Sequence, residues 1–425
     1  MEKLSENHFD SLKLIHDLST KIPWDDHDLT SAKFLSSKLE ISGKLFLTYA
    51  SDGKKSSSFV VKEEGLKLAL PVLKKLLNEV KTKASYYKVC NAYYKLVDRL
   101  SENQQVDGLS DQGEFPKYLD ANLRASDAQQ LNKKILLQPY KKERQMDLTV
   151  LFWEGPIARA YLEMLKFMNI KPKKIIHLIS NNDISTGKPN SKWMPKNLKP
   201  TLYASKQFQS ISYWPSKLKK TEREQYVNIK NTVSEYLGIT DTVFDDAYKS
   251  KPLENYSDNV KSMLVDNIKD PAIVQQLGQE NGNVLFTGGG ILTKQYFEVK
   301  NINFIHIHPG YLPEIRGSDG VLWSMLLNGY PSGSCFFMTP NLDDGEVIHR
   351  NFLGIDFDMS RFSTKEYKDK YRMLFSYIDP WVRACILAES IVETELFKSI
   401  QAIKQDESSS NMFYTMHSEL QRNVL

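Results

Sequence analysis

Residues 302–317, INFIHIHPGYLPEIRG, constrain the chain more than any other stretch. From Ile302 to Ile307 the run is apolar, interrupted only by Asn303 and His306. His308 and Pro309 end it, and Gly310, Pro313 and Gly317 follow closely. This pattern predicts a buried strand that leaves a sheet and delivers two histidines at its C-terminal end. Open α/β sheets bind their ligands at that end of their strands.

A second stretch completes the pattern. Residues 341–348, NLDDGEVI, set Asp343, Asp344 and Gly345 at the head of another apolar run. Upstream, DLTVLFW (147–153) runs into Glu154, Gly155 and Pro156, then a helix, IARAYLEMLKFMN, for which Pro156 suits the first position. KKIIHLI (173–179) follows as a second strand, so a βαβ unit with a right-handed crossover begins here. NVLFTGGGIL (283–292) predicts a strand ending in three glycines, with a helix starting near Leu292. Two further strands are expected at 333–339 and 346–353. Residues 180–215 are polar and proline-containing and read as a long loop. Lys219 to Leu237 reads as a charged helix with a solvated face. GxGxxG is absent, and with it the dinucleotide fingerprint.

With 425 residues, two or three domains are expected. A hydrophobic content of 41% and a charged content of 25% fit a soluble globular chain. The net charge of +4 permits anionic partners without demanding nucleic acid. No window reaches the roughly 18 apolar residues of a membrane helix. The polar, acidic start MEKLSENHFD is unlike a secretory signal. Cys90, Cys335 and Cys385 are odd in number and far apart, which points to a reducing, cytoplasmic setting. Neither CxxC nor HExxH occurs, so no metal site is expected; Asp25, Asp26, His27 and Asp28 read as a solvated loop.

Residues 1–125 read as a mainly helical N-terminal domain. Helices are expected at 8–20, 30–40, 64–80 and 84–100, with a hairpin over 44–61. The helix at 84–100 carries Tyr86, Val89, Tyr93, Leu96 and Leu100 on one face, a core stripe. The segment 101–125 reads as a linker and 126–138 as one more helix. Past Phe362 the chain reads as mostly helical to Lys404, then QDESSS (405–410) as a linker, then an aromatic tail that docks back on the protein.

The chemistry lies where the strands converge. Their loops bring His306, His308 and Asp343 within reach of one another. Transferring an acyl group to an amine needs a base for the amine proton, an acid for the leaving nitrogen and a donor for the oxyanion. One imidazole can fill both proton roles because its pKa lies at about 6.5. A carboxylate beside it fixes the tautomer, and His308 with Asp343 suits that pairing. Three glycines, Gly288, Gly289 and Gly290, allow close backbone approach to a ligand. With Ile291 and Leu292 behind them they suit a flat heteroaromatic group better than a phosphate; a structural turn is the competing reading. His306 also reads as a buried histidine bonded to backbone, and Arg316 as either a loop anchor or an anion site.

HPGYLPEIRG, followed by LWSMLLNG, GSCFFM and LDDGEVI, resembles the folate-dependent formyltransferases. These enzymes act on methionyl-tRNA, glycinamide ribonucleotide or nucleotide-linked amino sugars. Their pattern is roughly N-x-H-P-S-x-L-P-x-x-[RK]-G, then D-x-G-x-[IV]. His308, Pro309, Leu312, Pro313, Arg316 and Gly317 match its first part, and Asp343, Gly345 and Val347 its second. The family asparagine is replaced by His306 and the serine by Gly310.

The resemblance covers about 147–355. It implies a Rossmann-like α/β fold with a mostly parallel sheet over 147–358, preceded by a linker or helix at 126–146 and followed by a helical extension at 359–425. It implies His308 as catalytic base with Asp343 as its partner, and His306 or a backbone N–H at the oxyanion. The backbone of Gly288, Gly289, Gly290, Ile291, Leu292, Asp344 and Gly345 would hold 10-formyltetrahydrofolate, and Gly310, Tyr311 and Arg316 would face the substrate. The expected reaction is N-formylation of a small primary amine, such as a nucleotide-linked amino sugar, by a cytoplasmic enzyme without membrane contact, with a homodimer open. The small C-terminal barrel of a transfer-RNA-directed enzyme is not visible, which lowers nucleic acid as a partner. The alternatives are a non-catalytic folate- or nucleotide-binding module and a 10-formyltetrahydrofolate hydrolase.

Overall fold

The computed structural model describes residues 47–51, 57–61, 83–101, 137–190, 195, 197–357, 367–422 and 424. The helices expected at 8–20, 30–40 and 64–80, the acidic loop at 22–28 and the linker at 102–125 lie outside them. So does the helix at 126–138, except for its last two residues, which are not helical. Two compact units form, residues 1–121 with 413–424, and residues 122–412.

In the first unit, β1 (Leu47–Ser51) and β2 (Ser57–Val61) pair antiparallel from Leu47↔Val61 to Ser51↔Ser57, the hairpin expected there. The helix Lys83–Ser101 buries Tyr86, Val89, Tyr93 and Leu96 along one face. The tail docks on this helix. Asn91 donates through Nδ2 to the Thr415 carbonyl (3.2 Å) and accepts from the His417 amide (2.6 Å), and the His417 ring stacks on Tyr94.

The second unit is a seven-stranded sheet with flanking helices. Its strands are β3 (Arg144–Trp153), β4 (Ile170–Ser180), β5 (Val260–Val265), β6 (Gly282–Phe286), β7 (Ile302–His308), β8 (Ser332–Phe337) and β9 (Val347–Phe352). Their spatial order is β9-β8-β7-β6-β3-β4-β5. β5, β4, β3, β6 and β7 run parallel, and β8 and β9 add antiparallel at one edge. The mostly parallel α/β sheet is therefore as expected. Leu148, Val150, Leu151 and Phe152 are fully buried, consistent with β3 being a central strand covered on both faces. Pro156 opens the helix Pro156–Phe167, where its missing N–H costs nothing. The helix Asp379–Glu393 packs against that helix and over β8, where a side chain on Gly333 would meet Ile386 at 2.8 Å.

Three expectations change. Residues 180–215 are no single loop, because helices occupy Lys199–Ile211 and, just beyond, Tyr213–Thr221. The first of these buries only Tyr203 and Gln207, so no apolar stripe announced it. The helix expected from Lys219 starts at Arg223, and its face is not merely solvated, since Tyr226, Ile229, Val233 and Leu237 enter the core. β5 was not anticipated; it is an edge strand that buries only Val265 completely, and such a strand has little apolar pattern.

His349 on β9 sits between two carboxylates of the helix Asp379–Glu393, with Nε2 3.0 Å from Glu389 and Nδ1 2.7 Å from Glu393. Burial opposes the charged ring, but the two glutamates prevail and its pKa is raised. A raised pKa stabilises the fold below the imidazole's ordinary value of about 6.5, and that contribution disappears as pH climbs through the folded value. Urea unfolding is expected to show stability falling across that window in the native chain and a flatter profile in His349→Gln.

Candidate functional site

The strand order reverses beside β3. From β3 the chain builds outward through β4 to β5, then returns to add β6 and β7 on the other side. Such a reversal opens a crevice outside the carboxyl ends of the two central strands. Here those ends are Trp153–Gly155 and Thr287–Gly290. Thr287 ties them together, its hydroxyl accepting from the Trp153 amide (3.0 Å) and donating to the Leu151 carbonyl (3.1 Å).

The three glycines differ in what surrounds them. A side chain on Gly288 would strike the Phe286 ring at 2.9 Å, so this residue packs against the strand end. Around Gly289 and Gly290 there is open space, and Gly290 has a φ of +100° that favours glycine. Ile291 is 64% exposed and Leu292 is buried. The helix expected near Leu292 is one short turn, Lys294–Phe297.

β7 brings His306 and His308 to the same face, as strand alternation requires. Their ring nitrogens have different surroundings. His306 is half-buried, tilted against Phe286 and edge-on to Phe336. Its Nδ1 lies 3.0 Å from the Phe286 carbonyl. A carbonyl only accepts, so Nδ1 carries the proton and Nε2 keeps its lone pair. His308 is buried, with Nε2 2.9 Å from the Ile315 carbonyl and Nδ1 3.6 Å from Asp343 Oδ2. Both of its nitrogens thus face protein oxygens.

Gly310 makes the second arrangement possible. A Cβ there would lie 2.5 Å from the Ile315 carbonyl oxygen and 2.8 Å from His308 Nε2. Tyr311 turns away to stack on Phe352 (4.4 Å between centroids, 13° between planes), with Arg350 over its ring.

Asp343 adopts the left-handed region at φ +53°, and its Oδ2 accepts from the Gly317 amide at 2.9 Å. Gly345 has no room for a side chain, since a Cβ would lie 1.5 Å from the Phe337 carbonyl oxygen. Arg316 is occupied within the protein. Its guanidinium donates to Gln405 (2.9 and 3.2 Å) and Glu407 (2.9 Å) and lies 3.3 Å from Asp344. Gln405 in turn donates to the carbonyls of Asp343 (2.9 Å) and Gly345 (2.6 Å). Residues 405–410 are therefore not the free linker expected from their polarity; they brace the Asp343–Gly345 loop.

Two contributors went unnoticed in the sequence. One is Gln405, hidden in a polar run. The other is Arg383, whose Nη1 donates to the Ile307 carbonyl at 2.8 Å, between the two histidines, while Nε bonds Asp379. An Asp and an Arg four residues apart in the otherwise apolar DPWVRACILA were the available signal. Desolvation, then the Arg383 charge, lowers the His306 pKa to about 4. Desolvation also lowers that of His308, against an upward pull from Asp343. Burial and the Arg383 charge thus both favour the neutral form of the rings.

Over β4 and β5 lies a separate cavity of about 320 Å³, lined by Arg159, His177 and Lys251 among others. Its cations are already paired, Arg159 with Glu154 and Lys251 with Glu163 and Asp246. Among the described residues no cluster of metal-binding side chains occurs, and no helix is long and apolar enough to cross a membrane.

The bracing of the Asp343 loop is open to measurement. Replacing Gln405 by Leu strands two backbone carbonyls and part of the Arg316 guanidinium. Such losses cost about 1–3 kcal/mol for each unsatisfied buried group. Urea denaturation of Gln405→Leu is expected to show at least one such loss against the native chain.

No family model matches the chain. A methionyl-tRNA formyltransferase from Ruminiclostridium cellulolyticum is 28% identical over 104 residues, which are 24% of this chain and 33% of that relative. The matched region thus spans about a third of the curated relative's length. Among solved structures, a sugar N-formyltransferase from Shewanella sp FDAARGOS_354 has a TM-score of 0.33 at 13% identity, covering 64% of this chain and 77% of that one. HypX from Aquifex aeolicus, solved with tetrahydrofolic acid, has a TM-score of 0.28 at 16% identity, covering 38% of this chain and 26% of that one. Scores this low carry no functional argument. The sequence likeness to the curated relative and the HPGYLPEIRG and LDDGEV motifs together make this a chain that resembles the folate-dependent formyltransferases.

Proposed function

We propose that this protein moves a formyl group from 10-formyltetrahydrofolate to the primary amine of a small molecule, such as a nucleotide-linked amino sugar. The observation that carries the reading is the cluster at the end of β7. There His306 and His308 share one face beside the strand-order reversal, with Asp343 3.6 Å from His308. The likeness to a methionyl-tRNA formyltransferase supports the same chemistry.

The residues present fit a folate donor. The unfilled space at Gly289 and Gly290 and the exposed side chain of Ile291 leave room for a flat ring system. The loop of Asp343, Asp344 and Gly345, held by Gln405 and Arg316, forms another rigid edge beside His308. Bound there, the donor would supply a formyl carbon attached to a nitrogen that can leave. A neutral imidazole of this pair would move the proton from the attacking amine towards that nitrogen, a role worth about 10²–10⁴-fold in rate. Gly310 would leave the backbone room to close over His308, Tyr311 is held against Phe352, and Arg316 would serve the acceptor indirectly by holding the loop.

A module that binds folate without catalysis is the second reading, favoured by the protein oxygens that both His308 nitrogens face. Incubation with 10-formyltetrahydrofolate and a panel of amines separates the readings. The panel comprises dTDP-linked amino sugars, simple primary amines and methionyl-tRNA. A formylated small amine with release of tetrahydrofolate is the expected outcome. Folate binding by calorimetry without a formylated product would overturn transfer in favour of the binding module, and formate without a formylated amine would indicate a hydrolase.

A further inference from the structure

We propose that Nε2 of His306, rather than either nitrogen of His308, is the atom that accepts the proton of the attacking amine, and that His308 is a positioning residue. This rests on the formyl-transfer reading and divides the labour within it.

Hydrogen-bond direction carries the argument. Both imidazoles lie against backbone carbonyls, and a carbonyl can only accept. The Phe286 carbonyl, 3.0 Å from His306 Nδ1, fixes the proton on Nδ1 of that ring. Nε2 is left with its lone pair and has no hydrogen-bond partner among the described residues. The Ile315 carbonyl, 2.9 Å from His308 Nε2, fixes the proton on Nε2 of the second ring. Its other nitrogen, Nδ1, faces Asp343 Oδ2 at 3.6 Å, a carboxylate that favours a proton there. That nitrogen is turned to the carboxylate and His308 is 3% exposed, so neither of its nitrogens is presented to a substrate amine.

The sequence around the second ring agrees. A Cβ on residue 310 would come within 2.5 Å of the Ile315 carbonyl oxygen, so the bond of that carbonyl to His308 favours glycine at that position. His306 and Gly310, the two departures from the family pattern, thus act together. Gly310 lets the backbone close over His308, and His306 places an open lone pair one strand repeat earlier on the same face. Arg383, His308 and Asp343 are the ionisable groups that act on His306, and burial together with Arg383 keeps it neutral at pH 7. Asp379 balances Arg383.

The step balances. As the amine nitrogen bonds to the formyl carbon, one N–H proton passes to His306 Nε2. The bond between the formyl carbon and the folate nitrogen breaks, its electron pair remains on that nitrogen, and Nε2 returns the proton there. A weakly basic imidazole suits the return, because its protonated form is a strong donor.

Two measurements test this. In the wild-type chain labelled with ¹⁵N-histidine, long-range ¹H–¹⁵N spectra report which ring nitrogen bears the proton, with His306→Gln and His308→Gln used to assign the signals. A protonated Nδ1 and bare Nε2 in His306 are expected at pH 7; the opposite tautomer overturns the proposal whatever the activity. In the transfer assay with 10-formyltetrahydrofolate and a dTDP-linked amino sugar, His306→Gln is expected to lower kcat by about 10²-fold or more and to abolish the acidic limb of the pH profile. His308→Gln is expected to lower kcat while retaining that limb. Loss of the limb in His308→Gln and its survival in His306→Gln would overturn the assignment. A wild-type chain that formylates no amine overturns the formyl-transfer reading itself, and the tautomer spectrum distinguishes that failure from a misplaced lone pair.

Discussion

The site depends on backbone carbonyls, which accept hydrogen bonds and never donate them. At the end of β6 the Phe286 carbonyl accepts a hydrogen bond from one nitrogen of His306, and in the turn after β7 the Ile315 carbonyl accepts one from His308. Two identical side chains on one face of one strand thereby become chemically different. The difference comes from backbone, so it is set by strand pairing and turn geometry. Parallel pairing of β6 with β7 in the register Leu285↔Ile305 carries Phe286 alongside His306.

A buried ion pair stands behind both rings. Arg383 and Asp379 are one turn apart on the helix Asp379–Glu393, and Arg383 donates to the peptide carbonyl between the histidines. A charge in the interior is tolerated only when it is paired and hydrogen-bonded. Here the pairing is local to one helix, while the remaining donor is directed into the sheet. One contact thus fastens the helix to β7 and places a positive charge near two imidazoles, opposing their protonation. The C-terminal helix is part of the site's electrostatics as well as its packing.

The third element is the brace on the Asp343 loop. Polar segments that cross a site have backbone groups to satisfy, and Gln405 satisfies two of them while also accepting from Arg316. The loop is held by side-chain hydrogen bonds rather than by a strand ladder, and the tight approach of Gly345 to the Phe337 carbonyl fixes its path. Asp343 is then held with one carboxylate oxygen on the Gly317 amide, facing His308 at a distance too long for a normal hydrogen bond.

Much of the architecture was legible in local pattern. Apolar runs ending in glycine or proline marked β3, β6 and β7, and Pro156 marked the start of the first crossover helix, because burial on both faces demands such runs. Edge strand β5 and the helix Lys199–Ile211 were not legible, since half-buried elements carry mixed residues. The motifs likewise identified His306, His308, Asp343 and the glycine loop as the chemical neighbourhood. What they could not supply was the partner of each ring nitrogen, the role of Arg383 from a helix 75 residues downstream of His308, or that of Gln405 from an apparent linker. By itself, the sequence determined a parallel α/β sheet with two histidines at the end of one strand, because hydrophobic period and chain-breaking residues are local properties. Only the tertiary structure decided which histidine keeps an open lone pair, because that depends on carbonyls and charges that sequence separates and folding brings together.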